Sequence, residues 1–134
     1  MDASIVTQVS DRVLRIEIRR PERKYALTVA MYAAMADALR GASADAGVRA
    51  VLLHGQPGIF TSGNDIGDFM SAATDFAEDR PVFQFLQAIA ASQKPIVAAV
   101  TGAAIGIGTT LLLHCDLVYA TPAFYCNTTD SLLF

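Results

Sequence analysis

The chain contains no tryptophan, two cysteines and two histidines in 134 residues, and charged residues make up only 17% of it. Each shortage excludes something. Cys115 and Cys126 form no paired or metal-like grouping, so neither a disulfide framework nor a metal site is expected, and free thiols in a reducing, cytoplasmic setting fit better. Ten basic residues against thirteen acidic ones give a net charge of -3. The basic face that a nucleic acid requires is therefore missing. Met1-Asp2-Ala3-Ser4 offers neither the basic stretch nor the apolar core of a secretory leader, and none is expected. Asn127-Thr128-Thr129 matches a glycosylation sequon, which without such a leader reads as chance.

What the chain has in quantity is apolar side chains. Hydrophobic residues reach 53% and the mean hydropathy is +0.39, which excludes disorder. The length predicts one domain over residues 1–134. So apolar a composition exceeds what a small monomer buries, so some of it is expected to meet a partner chain or a further part of the fold. The uncharged run Ile96 to Leu113 has the length of a membrane span. Gly102, Gly106, Gly108, Thr101, Thr109 and Thr110 interrupt it, and a buried strand, a turn and a buried helix account for it better.

The pattern along the chain alternates. Ile5 to Val9 and Val13 to Ile18 predict a hairpin around Ser10-Asp11-Arg12. In its second arm Leu14, Ile16 and Ile18 form the buried face, alternating with Val13, Arg15, Glu17 and Arg19. A basic loop, Arg19 to Lys24, leads to Thr28, an expected N-cap for a helix running to about Ala44. Val48 to Leu53 predicts a buried strand, Asp65 to Pro81 a polar, mobile segment, and Val82 to Ala91 a helix. Ile96 to Val100, Gly106 to His114 and Leu117 to Ala120 predict strand, helix and strand. This is an α/β fold with parallel pairing. Residues 121–134, with Pro122, Asn127 and a terminal Leu132-Leu133-Phe134, fit no element and read as an atypical tail.

Two glycine turns, Thr61-Ser62-Gly63-Asn64-Asp65 and Gly106-Ile107-Gly108, each follow an apolar run. Glycine lets a backbone N–H approach a ligand atom closely. The second turn could instead open a dinucleotide site, but the third glycine of that fingerprint falls at Leu111 and no acidic strand end follows.

Pro21-Glu22-Arg23-Lys24-Tyr25-Ala26-Leu27, Phe60-Thr61-Ser62-Gly63-Asn64-Asp65, Lys94 to Gly108, and Cys115-Asp116-Leu117-Val118-Tyr119-Ala120 occur in order. With these four blocks the chain resembles the crotonase superfamily, the enoyl-CoA hydratase/isomerase family, over roughly residues 5 to 123. The resemblance implies a crotonase-like spiral of ββα units, truncated after its N-terminal half, and a homo-oligomer, trimer or hexamer. It implies acyl-CoA thioester substrates, with coenzyme A carried by the substrate and no tightly bound cofactor or metal. It also implies an oxyanion hole made by the backbone N–H groups of Asn64 and Ile107. Further contacts to the acyl-CoA are implied at Lys24, Ala26 and Leu27, at Thr61, Ser62, Gly63, Asp65 and Ile66, and at Gly106. Tyr25 stands where many relatives carry asparagine.

The chemistry suits such donors. Taking a proton from the carbon alpha to a thioester puts negative charge on the carbonyl oxygen, and one fixed donor there is worth about 10²–10³ in rate. Ile107, at a helix start, is expected to gain from the helix dipole as well. Arg19, Arg20, Arg23 and Lys24 could meet the phosphates of coenzyme A or be solvated charges. The family's hydratases use two glutamates, and the first position falls here on Thr110, no general base near neutral pH. Ser62-Gly63-Asn64-Asp65 and the non-glycine Ile107 look more like the Δ3,Δ2-enoyl-CoA isomerase branch, whose single carboxylate shuttles a proton and lies downstream of Phe134. After Asp79 the carboxylates are Asp116, expected to be structural, and Asp130, near the second glutamate position by ungapped count. His54 and His114 are expected to be packed. The loss of resemblance after Ala123 is expected to mark a truncated or frame-shifted product. The leading expectation is a 3-enoyl-CoA to 2-enoyl-CoA isomerase whose base is absent from this chain. The alternative is a catalytically inactive oligomerisation or binding module of the same fold.

Overall fold

The structure, a computed structural model, describes residues 4–72 and 80–127. Strands β1 (Ile5–Ser10) and β2 (Val13–Ile18) form the expected antiparallel hairpin, Ile5 opposite Ile18. Asp11 and Arg12 take φ of 52° and 66° at its tip, the left-handed pair of a hairpin turn. Next to β2 lie β3 (Ala50–His54), β5 (Ile96–Val100) and β7 (Leu117–Ala120), all parallel, in the order β1-β2-β3-β5-β7. A second sheet of three parallel strands holds β4 (Ile59–Thr61), β6 (Ala103–Ile105) and β8 (Tyr125–Asn127).

The chain therefore visits the large sheet, drops into the small one, and returns by way of a helix. β3 and β4 are followed by two helices, α2 (Ile66–Ala72) and α3 (Pro81–Ala91), and β5 and β6 by α4 (Ile107–Thr110). That repetition is the crotonase-like spiral of ββα units. The strands of the small sheet have three residues each, too few for period-2 alternation to show. The sequence pattern accordingly marks none of the three as a strand.

Helix α1 (Val29–Ala44) starts as expected, with the Thr28 hydroxyl accepting from Met31 N–H at 3.2 Å. Met31, Met35 and Leu39 recur at i, i+4 and i+8, and Val82, Phe85 and Ile89 line the facing stripe of α3; all are buried. Together with Ile16, Ile18, Val51, Leu53, Ile96 and Ala98 they make one core between helices and large sheet. Burying side chains of this size stabilises by about 1.5–3 kcal/mol each. Lys94 Nζ donates to the carbonyls of Ala42 and Asp45, closing the C-terminal end of α1.

Several expectations are corrected. The run after Gly106 is not one helix. A single α-turn passes into a 3-10 turn, Leu111–His114, and the Thr109 hydroxyl ties the start of the α-turn back to β6 through the Ala104 carbonyl at 2.6 Å. Glu17, on the nominally outer face of β2, is buried, since Gln56 and Arg19 close over it. Burial raises its pKa, but those hydrogen bonds and the Arg19 charge outweigh this and hold it below the usual carboxylate range. His114 is exposed rather than packed. Part of the supposed polar segment after Asp65 is helical as α2, while residues 73–79 lie outside the described residues. The tail contributes β8, and Asp130 with residues 128–134 lies outside the described residues.

Leu117, Val118 and Tyr119 of β7, at the open edge of the large sheet, are exposed. No helix among the described residues is long and apolar enough to cross a membrane. Asp116 ties the start of β7 to β5: its carboxylate accepts from Ile96 N–H at 2.7 Å and its own N–H donates to the Ile96 carbonyl at 2.8 Å. Burial, with the adjacent Asp116 charge, pushes the Cys115 thiol up to about 11, which leaves it protonated and unreactive. Replacing Asp116 with alanine takes the side-chain acceptor from a buried N–H. Urea unfolding of Asp116→Ala is expected to show a loss of about 1–3 kcal/mol, without a change in ligand binding.

Candidate active site

The two glycine turns follow neighbouring strands. β4 and β6 run parallel with Thr61 level with Ala104, so both turns leave the same end of the small sheet. A methyl group built on Gly63 would lie 3.0 Å from the Ile105 carbonyl oxygen, and one built on Gly108 only 2.5 Å from the Thr61 methyl. Segments more than 40 residues apart in sequence are thereby packed backbone against backbone.

Peptide geometry sets where their N–H groups point. In a planar trans peptide the C=O and N–H are antiparallel. The Gly63 carbonyl accepts from Leu27 N–H at 2.8 Å, and Asp65 N–H returns a bond to the Leu27 carbonyl at 2.8 Å. The N–H of Asn64, which shares its peptide plane with the Gly63 carbonyl, is thus turned away from Leu27, to the side where β6 lies. Thr61 holds the turn from below: its hydroxyl donates to the Tyr25 carbonyl at 2.6 Å and accepts from Gly63 N–H at 3.2 Å. Gly63 has φ of +95°, a conformation that side chains resist.

At the second turn Gly106 adopts φ 60° and ψ −120°, again open mainly to glycine. Its carbonyl accepts from Thr109 and Thr110 N–H at 2.9 and 3.2 Å. By the same antiparallel rule the Ile107 N–H is directed out of the helix start, where no intrahelical acceptor exists. The expected dipole assistance shrinks, because the α-helical stretch is one turn long. The aim of this donor comes from the Gly106 conformation instead.

The loop residues are brought to the first turn, though not in the roles expected for all of them. The Arg20 guanidinium donates to Asp65 Oδ2 at 2.8 Å and to the Ala26 carbonyl at 3.0 Å, and Arg19 pairs with Glu17 at 3.0 Å. Arg20 is thus largely covered and engaged within the fold, whereas Arg19 remains exposed beside Glu17. Arg20 was legible only as loop charge, and its latch on Asp65, 45 residues on, had no local signal. Asp65 also accepts from Asp68 N–H at 3.0 Å, and Asp68 in turn accepts from Val29 N–H at 2.7 Å. Leu27 is wholly buried, so its backbone and not its side chain serves the site; Ala26 is almost buried. Ser62 is half-buried, Lys24 exposed, and Ile66 is 68% exposed at the start of α2. Two surface grooves, between α1 and α3 and between α1 and β1, are lined by none of these residues. Among the described residues no cluster of three histidine, cysteine or acidic side chains could hold a metal.

Comparison with known proteins places this arrangement. The model of the family described as enoyl-CoA hydratase/isomerase matches residues 8–129, so the likeness runs past Ala123 and through β8. The chain is 38% identical over 123 residues to the probable enoyl-CoA hydratase echA6 of Mycobacterium tuberculosis, covering 90% of this chain and 48% of that protein. It is 32% identical over 124 residues to human enoyl-CoA delta isomerase 2, covering 88% of this chain and 31% of that one. Among solved structures, OdaA of Pseudomonas aeruginosa superposes with a TM-score of 0.87 at 45% identity, over 93% of this chain and 51% of that chain. The chain spans about half the length of most such relatives.

The Asp65 latch makes a test. The hydrogen bond from Asp68 N–H, then the one from Arg20, hold its carboxyl below the usual range. The stability it contributes is complete above the ordinary carboxylate pKa and is lost as the pH falls through the lowered native value. Asp65→Asn is therefore expected to lose about 1–3 kcal/mol near neutral pH. In urea titrations the gap to the parent chain is expected to narrow on acidification; a constant gap would contradict the latch.

Proposed function

The chain belongs to the enoyl-CoA hydratase/isomerase family, and from that premise we propose that it binds an acyl-CoA thioester with the carbonyl oxygen between the N–H groups of Asn64 and Ile107. The observation that carries this reading is the delivery of two glycine-shaped turns from the ends of adjacent parallel strands, each with its preceding carbonyl pulled the opposite way. Two such donors suit an enolate: charge develops on the oxygen as the alpha proton leaves, and pre-aimed amides stabilise it without reorganising. Ala26, Leu27, Ser62, Ile66 and Gly106 flank that point and would border the pantetheine and acyl portions. Lys24, exposed in the same loop as Arg23, is a cation available to the phosphates.

The reaction best supported is isomerisation of a 3-enoyl-CoA to a 2-enoyl-CoA. Thr110 occupies the position expected of a hydratase glutamate, and a threonine hydroxyl cannot serve as base near neutral pH. An isomerase needs one carboxylate to carry a proton between C2 and C4. Asp65 and Asp68 are both engaged in holding the turn, so neither is free to serve as that base. The names of relatives include hydratases and isomerases alike, and supply no choice between them. The same engagement of Asp65 and Asp68 favours, as a second reading, a binding module without turnover. Proton exchange at C2 and conversion of a 3-enoyl-CoA separate the two readings.

Thermal unfolding tests the thioester site itself. A ligand at 100 times its Kd stabilises by about 2.7 kcal/mol. At equal concentration an acyl-CoA is expected to raise Tm more than free coenzyme A, because only the thioester offers a carbonyl to the two donors. Equal shifts would remove the support for an oxyanion site.

A further inference from the structure

The wholly buried phenol of Tyr32 has no place in the reading above. It sits on the first turn of α1, with its ring edge-on to Phe69 of α2 at 6.0 Å between centroids and tilted on Phe85 of α3 at 5.5 Å. Three helices thus contribute one aromatic ring each to a single cluster. A phenylalanine would fill this space equally well, whereas a hydroxyl in such a cluster is costly unless it is paired. The Tyr32 hydroxyl is paired, and its acceptor is Oδ1 of Asn64. Burial raises the phenol pKa above its ordinary value, so the group remains a donor at every pH of interest.

We propose that Tyr32 is a positioning residue for the oxyanion site, anchoring the side chain of Asn64 in the aromatic cluster so that the N–H of the same residue stays aimed at the thioester oxygen. The inference rests on the reading of Asn64 as an oxyanion donor. Its physical basis is the geometry of the turn. Leu27 fixes the peptide planes on both sides of Asn64 through Gly63 O and Asp65 N–H, and Thr61 fixes Gly63 N–H. Those bonds, with the Arg20–Asp65 pair, hold the backbone on either side of Asn64 and leave its side chain to be fixed. The Tyr32–Asn64 bond supplies a restraint from a different direction, out of the helical layer. An amide whose direction depends on its own side chain being held is sensitive to a single hydroxyl far from the substrate, since small misplacements of a donor weaken its effect on the transition state. Tyr32 itself is too deeply buried to touch a ligand.

The experiment uses an acyl-CoA labelled with 13C at the thioester carbonyl, whose resonance moves downfield when donors polarise it, with affinities for acyl-CoA and free coenzyme A measured alongside. In the parent chain the bound carbonyl is expected downfield of the free one. Tyr32→Phe, which deletes one oxygen from the cluster, is expected to lose much of that displacement. It should cut the preference for acyl-CoA over free coenzyme A roughly 2- to 10-fold, the worth of a hydrogen bond, and leave the affinity for free coenzyme A as it was. Asn64→Ala keeps the backbone N–H and removes the acceptor, and should lose the displacement equally; it also serves if Tyr32→Phe fails to fold. In the double variant the second substitution should add nothing. Full displacement in the parent and in both single variants would overturn the positioning role alone. No displacement in the parent would overturn the oxyanion reading itself, and the positioning role with it.

Discussion

The pair of backbone hydrogen bonds between Leu27 and the turn at residues 63–65 is the constraint on which the rest of the site depends. It pins the Gly63 carbonyl and the Asp65 N–H to one segment, and planarity of the peptide then turns the Asn64 N–H away from Leu27. Every neighbour reinforces that fixing. Arg20 and Asp65 lock the loop before Leu27 to the turn after Asn64, Thr61 spans from Tyr25 to Gly63, and Asp68 reaches back to the start of α1. Arg20, Thr61, Asp65 and Asp68 are consumed in holding backbone, which is how a loop becomes rigid.

Much of this was legible in the sequence, and for identifiable reasons. Thr28, Pro95 and the β-branched run Ile96-Val97-Ala98-Ala99-Val100 carry strong local signals, so α1 and β5 appear where expected. The glycine turns were legible because the φ values at Gly63 and Gly106 leave few other residues possible. The small sheet was not, because three-residue strands carry no period and are made by pairing to partners roughly 20 to 45 residues away. For the same reason β8 was hidden in a stretch whose residues resemble a loop.

The charges show the limit most clearly. Arg19 and Arg20 belong to one basic run in the sequence, and that run reads equally well as a phosphate site or as solvated surface. In the fold one of them closes over the buried Glu17 and the other over Asp65. Local sequence gives the sign of a charge but not its long-range partner. Tyr32 illustrates the converse. By periodicity it is a core position next to Met31, and only the Asn64 side chain at its hydroxyl distinguishes it from a phenylalanine.

The most direct test of the central claim is a crystal structure with a bound acyl-CoA. The account predicts the thioester oxygen within about 2.7–3.1 Å of both amide nitrogens, those of Asn64 and Ile107. A carbonyl bound elsewhere, or two nitrogens too far apart to share one oxygen, would contradict it.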